Sequence, residues 1–406
     1  MKRTMTLKEL MFVLPLLLLV CAFSLYPIIT SGVYTLFDYQ RNNQSLNKLF
    51  LSGSLNAGLF AEDLQYAEFY MRKDGESLGQ AAQARLQPVL DDVRAMLSSF
   101  EGEKGVRSLS PGEAQSVEEF LDKLEADAGV FLSELSEKGE DVSLLRMAGL
   151  PQLLEEMRTC VIASNYVGLR GFGRLLSDQR FFNALSNTAV FTAVSVTLEL
   201  VFGMMLALIM DKSLRGIGLV RTTALIPWAI PTAVSALMWT YLYDGTSGVV
   251  AMLFDRLGLI ASPRMLLTTA GGTMASAILA DVWKTTPYMA LLLLAGLQVI
   301  DRGLYESSAI DGAGPGRTYF RITLPLLKPS ILVALVFRTL DALRVYDLIQ
   351  VLTKGTPETL SIYAYNVMVS QSNYGYGSVI VVGMFVFVAL IAFVYVKVLG
   401  AELIAE

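Results

Sequence analysis

Leu304-Tyr-Glu-Ser-Ser-Ala-Ile-Asp-Gly-Ala-Gly-Pro-Gly-Arg-Thr-Tyr-Phe-Arg-Ile-Thr-Leu-Pro325 is a polar, glycine-rich stretch held between two long apolar segments. Asp301 is placed to cap a short helix from about Arg302 to Ile310, because a carboxylate just ahead of a helix accepts hydrogen bonds from its free amides. Ser307, Ser308 and Ala309 on that helix are small, so another protein's backbone can come close. Asp311-Gly-Ala-Gly-Pro-Gly316 then ends the helix, since glycine reaches the positive φ that a sharp turn needs. Tyr319, Phe320 and Ile322 form a second amphipathic turn leading to Leu324-Pro325, where the apolar run resumes. A helix-turn-helix plug of this size suits a docking surface.

The segments around it are those of an all-α integral membrane protein. The chain has 406 residues, 53% hydrophobic and only 17% charged, with a mean hydropathy of +0.51. Its net charge of −5 is unevenly spread. Residues 38–180 hold 15 Lys/Arg against 23 Asp/Glu, whereas the remainder holds 17 against 14. A slightly basic membrane core thus carries an acidic polar insert, and nucleic-acid binding has no basic patch to rest on. With no histidine and only two cysteines, zinc sites and His-based triads are excluded. Cys21 lies in an apolar run and Cys160 in the insert, so no disulfide framework is implied.

Six membrane spans are expected. The first is Leu10–Ser31, preceded by Lys2, Arg3 and Lys8. A cleaved signal peptide is the competing reading, but its apolar region is unusually long and no small-x-small site follows closely. Leu18-Leu-Val-Cys21 is a poor lipoprotein box because bulky Val20 precedes the cysteine. The other five run over about Asn183–Met210, Leu219–Tyr243, Ala270–Ile300, Ser330–Leu352 and Ser378–Leu399. Lys212, Arg215 and Arg221 follow the second span, and Arg302, Arg317, Arg321 and Lys328 lie on the 301–329 loop. The 244–268 loop has two Arg balanced by two Asp. The positive-inside rule therefore sets both termini and the 301–329 loop in the cytoplasm, and the insert outside. Ser77–Ser98 and Glu113–Leu135 of the insert look helical, with Val117, Phe120, Leu121 and Leu124 at helical spacing. A bundle of about four helices is expected there, serving as a cap or partner contact ahead of any sensing role.

Charges inside spans are costly and face a bundle interior or a water-filled path. Glu199 is mid-span in the second. Asp281 and Lys284 share a face of the fourth, in Asp281-Val-Trp-Lys284-Thr-Thr-Pro-Tyr288. Arg338, Asp341, Arg344 and Asp347 recur every three residues and predict one polar stripe on the fifth. The stripe lines a translocation path or forms an ion-pair network, and the spacing suits both. Pro287 should loosen the fourth helix, and Pro227 and Pro231 the third. Tyr288, Tyr346, Trp283 and Trp239 are aromatics that a sugar site can use, although anchoring or core packing suits Trp239 and Trp228 better.

Glu306, Gly312 and Ile322-Thr-Leu-Pro325 fit the pattern E-A-A-x3-G-x9-I-x-L-P, and the chain resembles the ABC importer permeases that carry it as their coupling-loop signature. Ser307 and Ser308 stand where that pattern has alanines. Ala309-Ile-Asp-Gly-Ala-Gly314 is similar to the maltose- and trehalose-type carbohydrate permeases, and the likeness runs without gaps over 280–353. It covers 181–400 well, 1–37 weakly and the insert not at all. Lys354-Gly-Thr-Pro357 is shorter than the Gly-Gly-Pro-rich loop usual in that family.

The resemblance implies a type I ABC importer permease fold with residues 1–37 as anchor, 38–180 as insert and 181–406 as the permease core. It gives a coupling role to Glu306, Ser307, Ser308, Ala309, Asp311, Gly312, Ala313, Gly314 and Pro325. Glu306 would dock, the glycines shape the turn and Pro325 set the angle of re-entry. By position it carries a mid-membrane sugar site onto Lys284, Thr285, Tyr288, Arg338, Asp341, Ala342 and Val345. Only Tyr288 keeps the residue type of the maltose protein, and Arg344, Tyr346 and Asp347 extend the path along the stripe. The implied partners are a second homologous permease, a cytosolic ABC ATPase dimer, a solute-binding protein, the bilayer and a sugar. ATP and Mg belong to the ATPase, and this chain binds no cofactor: it has no Gly-x4-Gly-Lys-Ser/Thr loop. The alternatives are a permease of the same superfamily for glycerol phosphate or a peptide, and, remotely, a membrane sensor. Four spans beyond residue 210 and the lack of a signalling module weigh against the sensor.

Overall fold

A computed structural model of the chain describes residues 7–43, 46–100, 102–212 and 216–403. Lys2, Arg3 and Arg215, three of the cations used for orientation, lie outside the described residues. The chain divides into two compact units. One takes residues up to Gly32, Arg170–Ser372 and Tyr376 onward; the other takes Val33–Leu169 with Asn373–Gly375. The boundary after Leu169, where 180 was expected, follows from Arg170–Leu176, a short helix of the first unit.

In the first unit the spans are helices because hydrocarbon offers the backbone no other hydrogen-bond partner. Leu14–Tyr34, Gln179–Met210, Ala270–Leu297, Pro315–Ala342 and Tyr374–Tyr395 are each long and apolar enough to cross a membrane. The third expected span is not one rod. It is the pair Ile217–Ala229 and Thr232–Leu242, bent by 89°, so the described helices give five crossings, and six when the bent pair counts as one. Pro231 lacks an amide hydrogen and forces Ile230 into extended backbone (φ −71°, ψ 132°), which ends the first helix of the pair. Pro287, expected to loosen the fourth span, instead lies inside a helix that continues to Leu297.

The fifth span also departs from expectation. It begins at Pro315 in the polar loop and passes through Pro325 by way of a wide turn, Tyr319–Thr323. It stops at Ala342, and Asp347–Thr353 is a separate short helix. The predicted stripe Arg338–Asp341–Arg344–Asp347 is therefore cut after Asp341. Asp347 instead sits in the first turn of the short helix, where a negative charge suits the free amides.

The second and fourth spans pack along their length, and Gly203 makes this possible. A Cβ there would lie 2.7 Å from Met289 Cγ. Gly296 similarly admits the fifth span, since a Cβ would meet Ser330 Oγ at 2.2 Å. Phe191, Met204, Met289, Leu293, Leu327 and Ala334 are among the residues buried between them. Arg221 donates to the Met210 carbonyl (2.6 Å from Nη2), closing the C-terminus of the second span.

The second unit holds the four expected helices, Ala57–Leu78, Gln80–Ser99, Pro111–Glu137 and Leu150–Thr159. The continuous helix expected over Ser77–Ser98 is broken at Gly79, whose φ is +94°. The unit also has a small antiparallel sheet that the sequence reading did not anticipate. Ser54–Asn56 is its central strand, with Val106–Ser108 on one side and Val161–Ile162 on the other. Ser110 and Glu113 cap the third helix reciprocally, the Glu113 carboxylate accepting from the Ser110 amide at 2.8 Å. Leu55, Phe60, Leu64, Met71, Leu121, Met147, Leu150 and Met157 form its core, each below 1% exposed.

Candidate functional site

The broken third span, the fourth span, the end of the fifth and the segment after it enclose a cavity of about 460 Å³. Trp228, Ala229, Ile230, Pro231 and Thr232 come from the break. Asp281, Lys284 and Thr285 come from the fourth span. Arg338, Asp341 and Ala342 end the fifth, and Arg344, Val345, Tyr346, Asp347 and Leu348 follow it.

Its inner wall is a buried ion network. Arg338, only 2% exposed, donates from Nε to Glu199 Oε2 (2.5 Å) and from Nη2 to Glu199 Oε1 (2.9 Å). The same Nη2 reaches Asp281, and Nη1 reaches Asp341 at 3.0 Å. Thr285 donates to Glu199 Oε1 at 2.7 Å. The guanidinium is thus encircled by three carboxylates, as a buried charge must be. Glu199 is fully buried, whereas the Asp341 side chain keeps 66% of its surface exposed. Within the stripe, Arg338 and Asp341 belong to the ion-pair network, and Asp341 also faces the cavity.

The structure brings together nine of the ten residues expected on the path. Tyr288 is the exception: its ring stacks on Trp228, with centroids 5.7 Å apart and planes 11° from parallel. Trp228, for which anchoring or core packing was expected, lines the cavity. Trp239 meets the packing expectation, stacked on Tyr243 (5.0 Å) and edge-on to Trp283 (5.6 Å). Tyr346 lies against Tyr365, with centroids 5.0 Å apart. The sequence reading missed the contribution of Trp228 to Thr232, and the signal for it was the pair of prolines, Pro227 and Pro231, bracketing a tryptophan.

The Asp301 cap and the Gly312 turn of the 301–329 loop have the geometry expected of them. Asp301 accepts from the Gly303 amide at 2.9 Å and caps Arg302–Ile310. Gly312 takes φ +74°, and the Ala313 amide closes the turn on the Ser308 carbonyl at 2.9 Å. Glu306, Ser307, Ala309, Asp311, Gly312, Gly314 and Pro325 are exposed, and Ala313 is half-buried. Ser308 is buried, with its hydroxyl on the Tyr305 carbonyl (3.0 Å) and 3.3 Å from that of Thr318. It therefore tightens the turn from inside and is not on the exposed face of the loop. Ile310 and Phe320 are 87% and 67% exposed on this loop, with Leu304 and Leu326 also exposed, which leaves apolar surface uncovered.

Among the described residues no group of three His, Cys, Asp or Glu side chains could hold a metal ion. Burial, aided by Asp63, pushes the Cys160 thiol up to about 12, so it is not nucleophilic near neutral pH.

Residues 199–403 match the family described as binding-protein-dependent transport system inner membrane component. The chain is 45% identical over 237 residues to the trehalose/maltose transport system permease protein MalF of Thermococcus litoralis, a match covering 57% of this chain and 79% of that protein. It is 43% identical over 238 residues to the trehalose transport system permease protein SugA of Mycobacterium tuberculosis, covering 58% and 76%. Among solved structures it resembles a bacterial ABC transporter involved in import of the acidic polysaccharide alginate. That likeness has a TM-score of 0.50 and 26% identity, covering 58% of this chain and 83% of the other.

Proposed function

The chain belongs to the binding-protein-dependent transport system inner membrane component family, and from that premise we propose that it is the membrane-spanning subunit through which an ATP-driven importer passes a disaccharide or oligosaccharide. The observation that carries the sugar reading is the charge arrangement of the cavity. Arg338, the deepest cation, is taken up by Glu199, Asp281 and Asp341. A solute entering meets the free part of Asp341, Arg344, Asp347, the Trp228 indole and the Tyr346 ring. Balanced charge beside aromatic surface suits a neutral, hydroxyl-rich solute. The cavity of about 460 Å³ is within the usual range of about 300–1,000 Å³ for small-molecule sites.

The chain lies in the inner membrane as a multi-pass protein with both termini cytoplasmic and the 33–169 unit outside, where it contacts the solute-binding protein. A second, homologous permease completes the pathway. A cytosolic ATPase dimer, which holds ATP and Mg, docks on Arg302–Ile310 through Glu306, with Ile310 and Phe320 as apolar contacts. Closure of that dimer moves the plug and, through the unbroken Pro315–Ala342 helix, the Asp341 end of the cavity. Access alternates between the two sides. A second reading, an anionic solute such as glycerol phosphate, draws on the exposed Arg344.

ATPase activity of the reconstituted complex, measured with its binding protein over trehalose, maltose, glycerol 3-phosphate and a peptide, tests this. Stimulation by a disaccharide that is lost in Asp341→Ala is the expected result. Stimulation by glycerol 3-phosphate alone, lost in Arg344→Ala, would move the protein to the second reading.

A further inference from the structure

Ile226–Ala229 is a single turn of helix, and its last carbonyls have no continuing helix to accept from. Ile230 turns extended ahead of Pro231, and the next helix leaves at 89°. The Lys284 ammonium fills the gap. From the fourth span it donates to the Trp228 carbonyl at 3.3 Å and to the Ile230 carbonyl. Lys284 is 8% exposed, so its charge is held largely by backbone oxygens at a helix C-terminus, where a cation is favoured. An ammonium engaged in this way offers little to a solute.

What the pin fixes is the ring two residues before the extended Ile230. Trp228 lines the cavity, Tyr288 covers one face of its indole, and the residue is still 47% exposed. The negative face of an aromatic ring attracts the polarised C–H groups on the flat side of a pyranose, while the hydroxyls stay free for Asp341 and Asp347 beside it.

We infer that Trp228 is the aromatic platform on which a pyranose ring of the transported sugar stacks, and that Lys284 is a positioning residue acting through Trp228 by holding the break in the third span. This rests on the sugar reading above and adds to it the residue that sets the preference for a ring.

The test is sugar-stimulated ATPase of the assembled complex with its binding protein, titrated with trehalose and with maltose. Trp228→Ala raises the half-saturating sugar concentration at least tenfold, while the maximal stimulated rate falls less than threefold. Trp228→Phe, which keeps a ring, stays within threefold of wild type. Lys284→Met matches Trp228→Ala, Lys284→Arg restores most of the loss, and the double variant Trp228→Ala/Lys284→Met is no worse than either alone. If Lys284→Met does not assemble, Lys284→Arg and the two Trp228 variants still decide the matter. Stimulation of wild type with Trp228→Ala unchanged overturns this proposal and leaves the sugar reading standing. Losses that multiply in the double variant overturn the positioning role, since Lys284 would then act on the sugar by itself. A wild-type complex that neither sugar stimulates overturns the sugar reading and this proposal together.

Discussion

The two units use the same Arg–carboxylate chemistry to opposite effect. In the 33–169 unit Lys123–Asp92, Arg94–Glu68 and Arg158–Asp122 pair at the surface, with side chains 24–69% exposed. Water already solvates those charges, so pairing changes little. In the membrane unit Arg338 and Glu199 are 2% and 0% exposed, and each is tolerable only because the other is present. Insert stability therefore comes from its apolar core, while the bundle depends on a few charges placed without slack.

The largest effect that sharpens this contrast is expected from Arg338→Met. It leaves Glu199 and Asp281 buried without a counter-charge, a loss of about 3–5 kcal/mol, read as a fall in the melting temperature of the purified chain in detergent. Arg338→Met with Glu199→Gln and Asp281→Asn should recover most of that fall, because no lone charge remains. Failure of the triple variant to recover would mean that the network does more than balance charge.

In the insert, Leu121→Ala removes a fully buried side chain and should cost about 2–4 kcal/mol. Cys160 reports it: in a Cys21→Ser background the thiol reacts slowly at pH 8, since burial holds it protonated, and Leu121→Ala speeds alkylation by local opening. A smaller loss of about 1 kcal/mol is expected from Ser110→Ala, which removes one half of the reciprocal cap. Smallest of all, Lys123→Ala should leave both the melting temperature and the Cys160 labelling rate unchanged within error. A clear shift there would break the comparison.

The comparison also explains what could be read from sequence. Long apolar runs are legible because hydrocarbon allows few alternatives, and the Asp301 cap and Gly312 turn are legible because each rests on one residue's backbone chemistry. Glu199, Asp281, Lys284 and Arg338 were conspicuous as charges in apolar context. Their partners were not, since Glu199 and Arg338 are 139 residues apart. The stripe failed because a three-residue repeat says nothing of where a helix ends, and Leu343–Tyr346 carry no glycine or proline to mark the stop. Trp228 is hard to place from sequence because anchoring, core-packing and cavity-lining tryptophans have the same composition signal, and only the break at Pro231 separates them. The insert's strands, two or three residues each, are too short to show a period of two.

Uptake of radiolabelled trehalose into proteoliposomes holding the full complex, wild type beside Asp341→Ala, tests the central claim most directly. The account predicts ATP-dependent accumulation by wild type and a loss of at least tenfold in Asp341→Ala with the complex assembled in equal yield. Equal uptake by the two would contradict it, because the cavity between the broken third span and the fifth would then not lie on the sugar's path.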